Sequence, residues 1–321
     1  MALDFNQGNF NIIESEFNEA YIETLQMEVE LWNANSHGTL IMSTKSILGN
    51  FETRSIFREL STAALIKYRD PLSTADITPE TLEMISQRSV KINRYSFMAK
   101  SIDSWKKLGY DPEATFSQLI GAATAKGQAA DFLETMISSL VGAIGSESTM
   151  NDDLTGGKFD YAAINKSRFM FGDQFGNVKA LLMSSTTAAG LADLAISEKL
   201  INVAGTTINT GTWASLGIPV MITDAEALKN GTDFNVLCLT AEAGIMVDSE
   251  APFAYMDIDP TKVNSLLRLK RETAANVTIK GYSFTDTGIS PTNATLADKT
   301  KWTKYVTDTK ATAGVLLKVK A

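Results

Sequence analysis

The amino-acid sequence predicts an α+β fold, and three patterns carry that prediction. Residues 111–144 repeat apolar side chains at helical spacing, residues 234–239 form a short apolar run, and residues 312–320 end the chain on another. The first pattern is typical of a long amphipathic helix, and the other two are typical of buried strands. Residues 179–248 combine a helix, a polar loop and two core strands into the lobe around which the chain is organised.

The composition describes a globular chain whose charge is unevenly distributed. Its 321 residues are 44% hydrophobic, and no uninterrupted apolar run approaches the roughly 20 residues of a membrane span. The formal net charge is −8, and residues 1–44 contain seven acidic residues but no Lys or Arg. An acidic chain without a basic stripe is a poor candidate for specific nucleic-acid binding. The N-terminus also lacks the basic and apolar regions of a secretory signal.

A helix is predicted over residues 14–32, after a polar segment that we interpret as an extended arm. Apolar side chains recur there every three to four residues, at Phe17, Tyr21, Leu25, Val29 and Trp32. This spacing produces one apolar stripe and leaves an acidic outer face. The acidic face is either a solvated surface or a segment that docks on a basic patch of a neighbouring copy.

Residues 37–100 are predicted to form an extended two-stranded element. Strand-like runs occupy residues 38–44, 49–57 and 89–95, and the apolar content of the whole segment is limited. A two-stranded element with few core contacts is marginal in isolation. We therefore expect it to lie on a partner.

The longest predicted helix follows at residues 111–144, with Asp111 as its N-cap and Pro112 in its first position. A helix of this length extends about 50 Å at 1.5 Å per residue. Gly121, Gly127 and Gly142 weaken it, and we expect them to mark close backbone contacts or a bend.

The second half of the chain is predicted to be richer in strands. After a helix at residues 180–201 and a loop at 205–211, strands are expected at 216–222, 234–239, 243–248 and 253–258. Residues 266–281 are predicted as one long strand, with clean alternation continuing to residue 284. Arg268, Lys270 and Arg271 lie near its start and are either a solvated face or the partner of the acidic segment.

A search for catalytic chemistry finds no candidate set. The single histidine, His37, precedes a glycine in a predicted turn, and the single cysteine, Cys238, lies within an apolar run. One His and one Cys far apart disfavour His-based triads and zinc sites. The loop at residues 205–211 lacks the spacing of a phosphate-binding motif. We predict no catalytic residue, no cofactor and no metal site.

The order of these elements resembles the major capsid protein of tailed bacteriophages, the Hong Kong 97-like fold. The resemblance rests on the long helix, the Gly217-x-Pro219-Val220 turn into a strand, the later strands with their basic cluster, and the terminal apolar strand. It implies an N-terminal arm at residues 1–36 and an extended loop over the adjacent subunit at 37–100. A spine helix with the first part of the peripheral domain is expected at 101–146, an axial domain at 147–246, and the remaining peripheral strands at 247–321.

The resemblance also implies a function and partners. Many copies would form pentamers and hexamers of an icosahedral head, assembled in the bacterial cytoplasm around double-stranded DNA and without a membrane. A separate scaffolding protein and a portal are expected partners, and a decoration protein is a further one. Residues expected at interfaces between copies are Glu19, Glu23, Glu28, Trp32, Arg54, Phe57, Arg268, Lys270 and Arg271.

Three alternatives stay open at this point. An encapsulin-type nanocompartment has a similar fold, and would package protein in place of DNA. Another virion part, such as a tail tube protein, would form rings or helical stacks. An unrelated α/β enzyme would need a pocket with converging polar residues and a shifted titratable group.

Overall fold

The computed structural model describes residues 14–44, 51–57, 71–74, 76, 84–101, 112–155, 159–197, 217–249, 253–259, 261 and 266–320. Helices and strands mix along the chain, which confirms the predicted α+β class. The chain divides into two compact units. Unit 1 comprises Met1–Leu31, Asn93–Phe132 and Glu250–Ala274, and unit 2 comprises Trp32–Ile92, Leu133–Ser249 and Ala275–Ala321. The first 13 residues of the predicted arm and the predicted loop at 205–211 lie outside the described residues.

The α-helices in chain order are α1 (Glu14–Asn35), α2 (Pro112–Gly145), α3 (Tyr161–Arg168), α4 (Ser185–Ser197) and α5 (Asn293–Ala297). The strands in chain order are β1 (Leu40–Thr44), β2 (Phe51–Phe57), β3 (Met84–Ser101), β4 (Asn151–Leu154), β5 (Val178–Met183), β6 (Val220–Ile222), β7 (Lys229–Asn230), β8 (Asp233–Thr240), β9 (Gly244–Asp248), β10 (Phe253–Asp259), β11 (Leu266–Ile279), β12 (Tyr282–Phe284), β13 (Trp302–Lys304) and β14 (Gly314–Lys320).

The long helix α2 has 34 residues and begins at Pro112, as predicted. Two of its three flagged glycines do lie against backbone. A Cβ added at Gly121 would come within 2.6 Å of the Phe17 carbonyl oxygen, and one added at Gly142 would collide with the Leu296 carbonyl. Gly127 has nothing within 4 Å of such a Cβ, so no close contact explains it.

In unit 2, one sheet has the strand order β1-β9-β11-β3-β2. β1 runs parallel to β9, and β9 runs antiparallel to the last residues of β11. β2 pairs antiparallel with β3 over seven residues, from Phe51 opposite Val90 to Phe57 opposite Met84. Two of the predicted runs, now β2 and β3, therefore pair at one edge of this sheet, whereas the run at 38–44 is β1 at the opposite edge.

The second sheet of unit 2 has the order β4-β14-β8-β5-β6, and β7 pairs with β8. β8 is buried from Asn235 to Thr240, and β14 pairs with it from Gly314 to Lys320. A Cβ at Gly314 would collide with the carbonyl of Cys238, so glycine permits the two backbones to lie this close. The predicted strands at 234–239 and at the C-terminus are confirmed as the centre of this core.

Unit 1 contains the antiparallel pair formed by β10 and the first part of β11, with Phe253 opposite Glu272 and Asp259 opposite Leu266. It also contains the second half of β3, the first half of α2 and most of α1. The side chains of Phe17 and Tyr21 are buried, so the start of the predicted apolar stripe faces the interior.

Three sequence-based boundaries were wrong. Residues 180–183 belong to strand β5, and α4 begins only at Ser185, whose backbone N–H donates to the Asp224 carboxylate at 3.0 Å. β5 is buried on both faces over residues 180–183, so its sequence lacks the alternation that identifies a strand. The predicted strand at 216–222 shortens to β6, of three residues, which follows Gly217 at φ +60°. β11 ends at Ile279, because Gly281 turns the chain at φ +82° and β12 is a separate strand.

Candidate assembly surfaces

The inner face of α1 is held within unit 1 by Arg271. Its guanidinium carbon lies 3.2 Å from the centroid of the Tyr21 ring and 5.7 Å from that of Phe17. The Tyr21 hydroxyl donates to the side-chain oxygen of Gln128 on α2. A cation over an aromatic face is attracted by the ring quadrupole, most strongly where water is excluded. The three elements α1, α2 and β11 are thereby joined through side chains that sit in the core.

This burial corrects the predicted role of Arg271. Only 1% of the residue is exposed, so its side chain is not available to a neighbouring copy. Arg268 and Lys270 point the other way, as alternation along a strand requires, and each has an acidic partner in its own chain. Arg268 pairs with Asp259, and Lys270 pairs with Glu272. The three basic residues therefore do not form a single docking patch.

The outer face of α1 is acidic and also carries apolar side chains. Glu19 and Glu23 are exposed, while Glu28 and Trp32 are half-buried. Large apolar side chains stand among them and are more than half exposed, at Ile22, Met27 and Leu31. Exposed large apolar side chains that recur on one helix are a feature of interaction surfaces. The helical spacing of the sequence did not predict that these three side chains would be exposed.

The paired strands β2 and β3 carry the predicted site residues Arg54 and Phe57. Arg54 is exposed and forms an ion pair with Glu52, with Nε 3.0 Å from the carboxylate. Arg88 of β3 lies 3.6 Å above the Phe51 ring. Phe57 is the last residue of β2, and its side chain lies outside the described residues.

The second half of β3 presents a surface that sequence reasoning missed. Tyr95 is 74% exposed and Phe97 is 55% exposed. Residues two apart on a strand share a face, so the two rings project from the same side of β3. Arg94, on the opposite side, forms an ion pair with Asp131 of α2, at 3.0 Å. The sequence signal for this surface was the alternation Tyr95-x-Phe97. It places two aromatic side chains on one face of the strand, whereas a strand face exposed to water normally carries polar residues.

Among the described residues, neither His37 nor Cys238 belongs to a group that could hold a metal ion. His37 lies exposed in a turn at φ +51°, and burial raises the pKa of the Cys238 thiol to about 12. Within the described ranges, no three His, Cys, Asp or Glu side chains are placed to hold a metal ion. No described helix has both the length and the apolar content that a membrane span requires.

Comparison with solved structures shows the class of fold. The chain is similar to the capsid asymmetric unit of cyanophage Pam1, with a TM-score of 0.56 at 11% identity over 88% of each chain. It is similar to the acid-stable capsid of Helicobacter pylori bacteriophage KHP30, with a TM-score of 0.56 at 13% identity over 88% of each chain. The capsid of Ralstonia phage GP4 gives a TM-score of 0.53 at 9% identity, over 88% of this chain and 87% of that one. The fold is therefore that of bacteriophage capsid proteins.

The family is shown by sequence. A family model described as Gp13-like, major capsid protein 13-like, matches residues 9–316, and this chain belongs to that family. A comparison with curated proteins found no match. The predicted kinship with tailed-phage major capsid proteins is confirmed, and the chain is a structural protein of the virion capsid.

Proposed function

We propose that this chain assembles as pentamers and hexamers into the closed icosahedral shell of a phage head that encloses double-stranded DNA. The observation that carries the proposal is the set of large apolar side chains exposed on α1 and β3, at Ile22, Met27, Leu31, Tyr95 and Phe97. Exposing such side chains to water is unfavourable, and burial against neighbours removes that cost. Closed symmetric assemblies provide such burial for every copy.

The proposal also assigns a structural role in the shell to each part of the chain. Residues 1–36 act as the N-terminal arm, 37–100 as the extended loop, 101–146 and 247–321 as the peripheral domain with its spine, and 147–246 as the axial domain. The antiparallel pairing of β2 with β3 supports an extended loop, because β2 is the outermost strand of its sheet. An outer strand has one row of backbone groups available for pairing with another chain.

Contacts between copies are proposed at three places. These are the outer face of α1 around Glu19, Glu23, Glu28 and Trp32; the end of β2 around Arg54 and Phe57; and the outer face of β11 around Arg268 and Lys270. Trp32, Arg54, Phe57 and Arg268 belong to residue types that are enriched in interfaces, and the glutamates and Lys270 would lie at the polar rim. Arg271 is left out of this set because it is buried within its own chain.

The partners and the setting follow from the same proposal. A scaffolding protein and a portal guide assembly in the bacterial cytoplasm, and a decoration protein binds the outside of the finished shell. The chain has no catalytic role in this scheme. Its net charge of −8 would let packaged DNA slide along the inner wall without adhering to it.

Electron microscopy of the protein, produced alone and together with its neighbouring phage genes, tests the proposal. Closed shells, or separate pentamers and hexamers, are expected, with nuclease-resistant DNA in shells taken from infected cells. Shells filled with a cargo protein would indicate an encapsulin-type compartment, and stacked rings would indicate a tail tube. A monodisperse monomer near 34.8 kDa under every condition would overturn the proposal.

A further inference from the structure

A groove of about 500 Å³ runs between α1 and the first part of α2 in unit 1. Its walls carry three carboxylates from one face of α1, at Glu16, Glu19 and Glu23. These residues are three and four positions apart, so their side chains line up along the helix. Its apolar lining consists of Ala20, Leu119 and Ala122. Carboxylates beside apolar side chains suit a lysine, whose methylene stem packs on apolar surface while its ammonium group meets a carboxylate.

The carboxylates of this groove form no ion pair with the basic side chains that the structure describes. Residues 1–44 contain no Lys or Arg, and within the described part of the chain no basic side chain forms an ion pair with Glu19 or Glu23. Glu16 accepts a hydrogen bond from the Gln118 amide at 2.7 Å, which is a neutral donor. A cationic partner that binds in the groove would therefore relieve the repulsion among these carboxylates.

The opposite end of the chain supplies the complementary charge. Residues 299–320 contain six lysines and one acidic residue, Asp308. Two of the lysines lie on the short turn Lys299–Lys301, which follows α5 and precedes β13 in the chain. Lys299 is exposed and has no ion pair among the described residues, and Lys301 is 37% exposed beside Asp286 at 3.2 Å. Arg268 and Lys270 each already have an acidic partner, whereas of the two turn lysines only Lys301 has one among the described residues.

We propose that the acidic groove between α1 and α2 receives the Lys299–Lys301 turn of a neighbouring copy. The inference rests on the proposed assembly of this chain into shells. The groove and the turn are different surfaces, so the contact is heterologous and links each copy to the next one around a ring or across the shell. Its charged rim makes the contact sensitive to salt, since exposed charges are screened over about 10 Å at 0.1 M ionic strength.

A charge exchange tests this pairing. The variant Glu19→Lys/Glu23→Lys and the variant Lys299→Glu/Lys301→Glu are each expected to lower the yield of assembled shells at least tenfold at low salt, as measured by sedimentation. The four changes combined are expected to restore the yield to within about threefold of the parent, because opposite charges again face each other. The control Glu226→Lys/Glu242→Lys makes the same change of charge at two exposed positions outside α1 and outside the groove, and is expected to assemble as the parent does.

The outcomes distinguish failure of the proposed function from failure of the proposed pairing. A parent protein that forms no shells overturns the proposed function itself. A parent that forms shells, together with groove variants that also form them or a combined variant that is not rescued, overturns only the pairing. Equal loss in the control would also overturn it, because the effect would then be one of net charge.

Chemical crosslinking gives a second measurement that does not depend on charge. Glu23→Cys combined with Lys299→Cys places thiols on both sides of the proposed contact, and Cys238 stays unreactive because it is fully buried. A short bifunctional maleimide added to shells is expected to join chains into a ladder on a denaturing gel. Absence of the ladder in intact shells, or an equal ladder from Glu226→Cys with Lys299→Cys, would overturn the pairing.

Discussion

The side-chain amide of Asn33 bonds both backbone groups of Met42. Its nitrogen donates to the Met42 carbonyl at 3.1 Å, and its oxygen accepts from the Met42 N–H at 3.0 Å. Met42 lies on β1, the outermost strand on its side of the sheet, so the amide stands where another strand would pair. Ser36 adds a bond from its hydroxyl to the Leu40 carbonyl at 2.8 Å. The end of α1 thus covers an edge that could otherwise pair with the wrong chain.

Replacing Asn33 with Ala is expected to lower the free energy of unfolding by about 1–3 kcal/mol, because it leaves two backbone groups of Met42 without partners. Denaturant unfolding of dissociated subunits measures the change. Asn35→Ala, at an exposed position two residues further on, is the matched control and is expected to stay within about 0.5 kcal/mol of the parent. Equal effects of the two substitutions would show that the amide contributes nothing specific to the edge.

Replacing Arg271 with Met is expected to destabilise the subunit by about 2 kcal/mol, since it keeps most of the side-chain volume but removes the cation from the Tyr21 ring. The same change should let proteases cut within α1, because Phe17 and Tyr21 lose the charge that fixes them. Lys270→Met is the control on the adjacent residue, which is about half exposed, and is expected to change stability by less than about 1 kcal/mol. Unfolding curves and limited proteolysis measure both effects, and a protected α1 in the Arg271 variant would contradict the prediction.

The contrast between these two neighbours shows what the sequence could and could not predict. Strand alternation places Lys270 and Arg271 on opposite faces, and this was available from the sequence. Which face is interior was not available, because it depends on Tyr21, some 250 residues earlier in the chain. The buried start of the α1 stripe, at Phe17 and Tyr21, and the span of α2 were predicted correctly because a helical period is local. The end of β5 was predicted as helix because both faces of the strand are buried there, so apolar and polar residues do not alternate along it.

The ion pair between Glu147 and Lys304 makes stability depend on pH. The two charged groups are 2.9 Å apart, and the hydrogen bond from Lys304 holds the pKa of Glu147 below its usual value of 4.5. A lowered pKa in the folded state stabilises the fold above pH 4.5, and this contribution is lost as the pH falls through the folded pKa. The difference in free energy of unfolding between the parent and Glu147→Gln is therefore expected to be largest near neutral pH and to shrink in acid.

Lys304→Met provides the control for that measurement. In this background the largest cause of the lowered pKa is absent and only the hydrogen bonds from Thr149 still lower it, so adding Glu147→Gln is expected to change the pH dependence less than in the parent. Equilibrium unfolding of all four proteins across the acid range completes the cycle. A difference between the parent and Glu147→Gln that is the same at every pH would contradict the assignment to this carboxyl.

Two glycines of α2 give opposite expectations for the same substitution. Gly142→Ala would push a methyl group against the Leu296 carbonyl and to within 2.9 Å of the Trp302 Nε1, the atom that donates to that carbonyl at 2.7 Å. Overpacking of this kind costs about 1–3 kcal/mol, more than the roughly 1 kcal/mol that alanine gains in a helix. Gly127→Ala meets open space and is expected to stabilise the subunit by up to about 1 kcal/mol. Thermal and denaturant unfolding compare the two substitutions. Stabilisation by Gly142→Ala would contradict the prediction, because it would show that Leu296 and Trp302 can shift away from α2 at little energetic cost.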